Sequence, residues 1–235
     1  MNQLSNTFSL LELDVEDDKE EITSAAENAK KANGKAKKET DSSDKDLLEK
    51  DYKLPLVWID LEMTGLNIEV DRILEIACII TDGKLTKSVE GPDLVIHQTK
   101  ECLDKMGEWC VEHHAASGML ALALSCYAAT GRVGQVIEFV KRHVDLSHAP
   151  LIAGNSIYVD FMFLKKYMPN LASIFSHVVV DVSSIKALCF RWFPKDNKKA
   201  PRKEKKHRAM EDIKESIAEL KYFKENVFKP SKPRN

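Results

Sequence analysis

The sequence predicts an α/β fold, a mixed five-stranded sheet of three antiparallel meander strands followed by two parallel strands, with helices on its faces. Three observations predict it. Residues 56–97 hold apolar runs too short for helices and joined by short links, which favours antiparallel neighbours. From Thr99 onward apolar residues recur at helical spacing. Two more short buried runs, residues 150–154 and 178–182, then alternate with helical segments, as in a layered α/β domain.

The first strand is Leu56-Val57-Trp58-Ile59, an unbroken apolar run that leads into Asp60-Leu61-Glu62-Met63-Thr64-Gly65-Leu66. A strand buried on both faces reads this way. Side chains at i and i+2 of a strand share a face, so Asp60 and Glu62 can converge on one point. Two carboxylates held together share a proton or bind a cation, whereas an exposed strand end would simply solvate them. The second strand runs within 71–83 and ends at the turn Asp82-Gly83, and the third closes at Leu94-Val95-Ile96-His97. Thr99 to Ala129 is helical in pattern, and Val133, Val136, Ile137, Val140 and Val144 follow at helical spacing. Pro150 to Gly154 is the fourth strand, and Phe161, Leu164 and Met168 mark the apolar face of the next helix. Val178 to Val182 is the fifth strand, followed by a helix through Leu188 to Trp192. The last helix runs from about Arg208 to Glu225, with Ile213, Ile217 and Leu220 on one face.

The predicted domain spans 52–229, with a short C-terminal tail at 230–235. Residues 1–51 hold 14 acidic and 8 basic side chains, a net of −6 against −2 for the whole chain, which leaves +4 on the remainder. Apart from Phe8-Ser9-Leu10-Leu11, this tail has too little apolar surface to offset its ordering entropy, so disorder or a solvated helix is expected. The mild basic excess beyond it permits an anionic partner without requiring one. The five cysteines form no Cys-x-x-Cys pair and read as reduced thiols of an intracellular protein. No apolar run approaches the ~20 residues that span a bilayer, and the first residues have no signal-peptide core. A soluble protein, cytoplasmic by default, is expected.

Other acids can join the first pair, because ligands of open α/β sheets sit at the carboxyl ends of the strands. Asp160 falls in the first turn of the helix after strand four, and Asp212 in the first turns of the last helix. Read locally, each is a helix N-terminal acid facing the backbone dipole. His207 and Asp212 lie five residues apart, ~140° around a helix, so they face one point only if His207 sits on the preceding loop. Lys195 to Lys206, basic and interrupted by proline, reads as such a loop. A histidine there can accept a proton near neutrality, although composition alone makes it a surface histidine.

Together, Asp60-x-Glu62, Asp160 and His207-x-x-x-x-Asp212 resemble the three motifs of the DEDDh 3′→5′ exonucleases, which share the ribonuclease H-like fold. Trp58 to Leu66, Trp109 through His114 to Gly118, Gly154-Asn155-Ser156, Lys166 to Pro169, Asp181-Val182-Ser183 and His207 to Ile213 are similar to the oligoribonucleases. The resemblance covers Leu54 to Phe228. It implies an exonuclease domain in which Asp60, Glu62, Asp160 and Asp212 hold two divalent cations, Mg²⁺ or Mn²⁺, and His207 deprotonates the attacking water. It implies that Leu66, Trp109, His114, Asn155, Ser156 and Ser183 line the substrate site; apart from it, Trp109 reads as a core aromatic, His114 as a surface histidine, and Asn155 and Ser156 as helix caps. The substrate would be short single-stranded RNA with a free 3′ end, the products 5′-mononucleotides, the assembly a homodimer, and the location mitochondrial as an alternative to cytoplasmic. One departure bears on length selection. His177 and Val178 stand where the family carries Tyr-Arg, and valine cannot ion-pair with a terminal phosphate. A broader DEDDh exonuclease acting on longer RNA or DNA ends, and an RNA-binding module without chemistry, stay open as alternatives.

Overall fold

Two strands carry the sheet's centre. β1 (Leu56–Met63) pairs antiparallel with β2 (Ile73–Thr81), from Leu56 opposite Thr81 to Met63 opposite Ile73. Trp58 stands opposite Ile79 and Ile59 opposite Cys78, so successive pairs point to opposite faces of the sheet. Both faces are covered, which is why every residue of β2 is buried. This computed structural model describes residues 52–125, 133–147, 149–202 and 208–228. All of them fall in one compact unit, Leu48–Asn235.

β3 (Ser88–Val95) adds antiparallel to β2, while β4 (Leu151–Gly154) and β5 (Val179–Asp181) add in parallel on the other side of β1. The resulting order, β3-β2-β1-β4-β5, is the predicted meander followed by two parallel strands. Between β3 and β5 lie α1 (Lys100–Leu103), α2 (Glu108–Ala116), α3 (Met119–Ser125), α4 (Val133–His143), α5 (Ile157–Tyr167) and α6 (Pro169–Ala172), with β4 between α4 and α5; α7 (Val182–Trp192), α8 (Pro194–Asn197) and α9 (Ala209–Asn226) follow β5.

The predicted helical stretch from Thr99 onward is three short helices over its described part. Gly107 is the N-cap of α2, and Gly118, at φ +73°, separates α2 from α3 in a conformation that favours glycine. The expected strand and helix ends otherwise shift by a residue or two. The acidic N-terminal tail, residues 126–129, Lys203 to His207 and the C-terminal tail at 230–235 lie outside the described residues.

One face of the sheet packs Ile59, Leu61, Ile76, Cys78 and Ile80 against Val136, Val140, Phe163 and Leu164 of α4 and α5. The other packs Trp58, Ala77 and Ile79 against Met210, Ile213 and Leu220 of α9. Trp58 is fully buried, and its indole N–H donates to the Thr81 hydroxyl at 2.9 Å, so the ring enters the core without an orphaned donor. Because Asp60 and Glu62 share the face of Trp58, the packing of α9 on that face decides where Asp212 comes to rest.

Candidate active site

At the carboxyl end of β1, Asp60, Glu62 and Asp212 come together. One oxygen from each lies within 4.8 Å of the others, and all three side chains are half-buried. Three carboxylates at that distance are mutually unfavourable. Burial, with the Asp212, Glu75 and Asp160 charges adding to it, pushes Glu62 from 4.5 up to about 8; Arg208 opposes the shift. An all-oxygen, electron-rich cluster of this kind suits a hard divalent cation, which relieves the repulsion by displacing the retained proton.

Asp160 belongs to the site's edge and does not join that trio. It is 6% exposed, and its Oδ1 accepts the Leu61 N–H at 2.9 Å. The reason lies in the sheet. β1 pairs with β4 only from Leu56 to Trp58, after which β4 turns away into α5 and leaves Leu61 without a strand partner on that side. Asp160, in the first turn of α5, supplies the acceptor that a buried N–H requires.

The turn after β1 is built on Asp71. Its carboxylate accepts the Thr64 hydroxyl at 3.0 Å and the Asn67 N–H at 2.8 Å. Gly65 passes so close that a Cβ there would lie 2.5 Å from Asp71 Oδ2, so a side chain at this position would displace the carboxylate on which the turn is built. Leu66 is thereby held half-buried against the core of α4 and α5. Trp109 of α2 is also half-buried, and its ring stacks on His113 at 3.8 Å between centroids.

His114 is 3% exposed, which differs from the surface histidine that the local sequence suggests. Its Nε2 lies 2.9 Å from the Met63 carbonyl and must donate to it, which leaves Nδ1 unprotonated. That nitrogen faces Glu62 Oε2 at 3.7 Å, beyond hydrogen-bond range. Burial lowers the pKa of the ring, so it stays neutral near neutral pH. His114 is a neighbour of the carboxylate trio.

Asn155, Ser156 and Ser183 form one connected group. Ser156, left-handed at φ 48°, donates its N–H to Asp181 at 2.9 Å and to the Ser183 hydroxyl at 3.1 Å. Asn155 Nδ2 donates to the Ser216 hydroxyl at 3.0 Å, and Ser216 in turn donates to the Asp212 carbonyl at 2.7 Å. The starts of α5 and α7 are thus tied to α9 one turn beyond Asp212. Ser156 does stand at the N-cap of α5, but its side chain makes no capping bond. His207 lies outside the described residues; Arg208 is the first described residue after it.

Glu75 escaped the sequence reading. It is fully buried on β2, in register with Glu62, and it grips Arg208 and the first N–H of α9. The available signal was a lone carboxylate inside Ile73-Leu74-Glu75-Ile76-Ala77, since charged groups are almost never fully buried unless paired.

The sequence profile described as Exonuclease matches residues 57–220. A protein named oligoribonuclease from Arabidopsis thaliana is 59% identical over 230 residues, 97% of this chain and 99% of its own length. One from Homo sapiens, named oligoribonuclease, mitochondrial, is 45% identical over 175 residues, 74% of this chain and 73% of its own. Among solved structures, exonuclease I is similar at a TM-score of 0.51 and 16% identity. That alignment covers 74% of this chain and 41% of exonuclease I, a likeness of fold that agrees with the ribonuclease H-like sheet.

Proposed function

The chain belongs to the exonuclease family, among its oligoribonucleases, and on that premise we propose that it is a 3′→5′ exoribonuclease that hydrolyses dinucleotides to pentanucleotides of RNA to 5′-mononucleotides. The convergence of Asp60, Glu62 and Asp212 at the end of β1 carries this reading.

The cofactor is a pair of Mg²⁺ or Mn²⁺ ions held by Asp60, Glu62 and Asp212, with Asp160 at their edge. When bound, such ions supply neutralisation of the attacked phosphate and stabilisation of the entering and leaving oxygens. His207 takes the proton of the attacking water as general base. Leu66 and Trp109 offer apolar surface to the bases, and Asn155, Ser156 and Ser183 offer amide and hydroxyl groups to the sugar-phosphate. His114, tied to Met63, faces Glu62 and completes the wall of the pocket.

The substrate is single-stranded RNA with a free 3′ end, and the working unit is a homodimer. In support of a second copy, β5 is an edge strand, and the helices beside it expose apolar pairs, Tyr158 with Met162 on α5 and Leu188 with Trp192 on α7. Such pairs at helical spacing suit a partner surface. No helix among the described residues is long and apolar enough to cross a membrane. The name of the human relative supports mitochondria as one location, alongside the cytoplasm.

Val178 and His177 are both exposed, and neither side chain offers the guanidinium that could cap a terminal phosphate. Length preference is therefore the point to measure. A time course on a dinucleotide, a pentanucleotide and a much longer 3′-hydroxyl RNA, with Mg²⁺ and with EDTA, is expected to release mononucleotides fastest from the dinucleotide and only with metal. Equal or faster turnover of the longest RNA would assign the chain to the broader exonucleases, and no turnover of any length would leave only RNA binding.

A further inference from the structure

Glu75 is 0% exposed, in the middle of β2. A carboxylate there is strongly unfavourable unless its charge and lone pairs are satisfied. Both oxygens are engaged by the start of α9. Oε1 accepts Arg208 Nε at 3.1 Å and Nη2 at 2.8 Å, and Oε2 accepts the Ala209 N–H at 3.0 Å. Arg208 is the N-cap residue of α9 and has no capping side chain of its own. The cap is therefore provided from a different strand, at a sequence distance of more than a hundred residues.

Two consequences follow from where this grip is applied. The Arg208 carbonyl accepts the Asp212 N–H at 3.0 Å, so fixing Arg208 fixes the turn that presents Asp212 to Asp60 and Glu62. Glu75 stands in register with Glu62, and the Arg208 guanidinium beside it offsets a charge that would otherwise add to the carboxylate trio.

We propose that Glu75 and Arg208 form a positioning pair: a buried carboxylate on β2 that caps α9 from below and sets Asp212 against Asp60 and Glu62 on β1. Neither side chain is one of the three carboxylates that converge. The inference rests on the convergence of the three carboxylates and stands independently of the exoribonuclease reading above.

The test uses Glu75→Gln, Arg208→Gln, Arg208→Lys and the double variant E75Q/R208Q in the full-length chain, with Mn²⁺ binding by calorimetry as one readout and dinucleotide hydrolysis as the other. Partners that orient metal ligands typically contribute 10–100-fold, so each Gln variant is expected to weaken Mn²⁺ binding and lower kcat by about that factor while KM stays within about twofold. The double variant should be no worse than the worse single, because the two residues act as one unit. Arg208→Lys, which keeps the charge and loses the fork, should fall between wild type and R208Q. If E75Q does not fold, R208Q and R208K, at a position about a third exposed, still carry both readouts. Mn²⁺ affinity and kcat of R208Q within about twofold of wild type would overturn the proposal, as would additive losses in the double variant. A wild-type protein that binds Mn²⁺ and cleaves no RNA would sink the exoribonuclease reading alone, and the Mn²⁺ series would still decide the anchor.

Discussion

Helices α5 and α9 both start at a residue whose side chain makes no capping bond, Ser156 in one and Arg208 in the other, and both carry an aspartate in the first turn. By sequence the two aspartates are equivalent helix N-terminal acids. Their neighbours make them different. α5 begins where β4 leaves β1, and Asp160 is drawn to the Leu61 N–H exposed by that divergence. α9 begins over β1 and β2 where those strands remain paired, and they offer it side chains instead: Asp60 and Glu62 toward Asp212, and Glu75 toward Arg208 and Ala209. What an acid at a helix start does is thus set by what the adjacent strand leaves unsatisfied, and the dipole contribution common to both is secondary, at about 0.3–1 kcal/mol.

The largest effect that could break this comparison is on rate. Asp212→Ala should lower kcat on a dinucleotide about a thousandfold, since metal-assisted charge stabilisation amounts to several kcal/mol at ~1.4 kcal/mol per decade. Activity within tenfold of wild type would remove Asp212 from the reaction.

Stability should reverse the ranking. In EDTA, Asp160→Ala strands the buried Leu61 N–H and should lower unfolding free energy by about 1–3 kcal/mol, whereas Asp212→Ala relieves like-charge repulsion and should leave it unchanged or higher. Denaturant melts of the two variants side by side check this. Equal losses would mean that the aspartates play the same structural part.

A further effect is expected in the pH profile of the metal-free protein. Glu62 keeps its proton to about pH 8 when folded and sheds it near 4.5 when unfolded. The folded state then binds more protons across that window, so stability declines as pH rises from about 4.5 to about 8. Asp93, pushed up to about 6 by burial and by the neighbouring Glu75 charge, adds a decline of the same sign at the lower end. Glu62→Gln should therefore remove its part of the decline from about pH 4.5 to about pH 8, leaving only the Asp93 decline below about pH 6, and Mn²⁺ should offset the decline in wild type. A profile unchanged by Glu62→Gln would show that its proton is not coupled to folding.

Much of this was legible in the chain because it rests on short-range periodicity. The i, i+2 spacing of Asp60 and Glu62 after an apolar strand, and the apolar stripe of α9, are local patterns, and the register between β1 and β2 respects them. The parts that were not legible depend on long-range geometry. Nothing near Asp160 in sequence reveals that β4 departs from β1 after Trp58 and leaves Leu61 without a strand partner on that side. His114 lies in a helix with no apolar periodicity that would mark an inward face, yet it is buried against Met63 and Glu62. Glu75 looked like an interruption of a strand because its partner, Arg208, comes from the far end of the domain. The breaks at Gly107 and Gly118 were visible as residues, but helical periodicity on either side concealed them.

The most direct test is Mn²⁺ calorimetry on wild type, Asp212→Asn and Asp160→Asn above pH 8, where Glu62 is ionised. If Asp60, Glu62 and Asp212 are the metal centre, wild type binds Mn²⁺, Asp212→Asn loses about tenfold or more in affinity, and Asp160→Asn loses less. Wild-type affinity in Asp212→Asn would contradict the account.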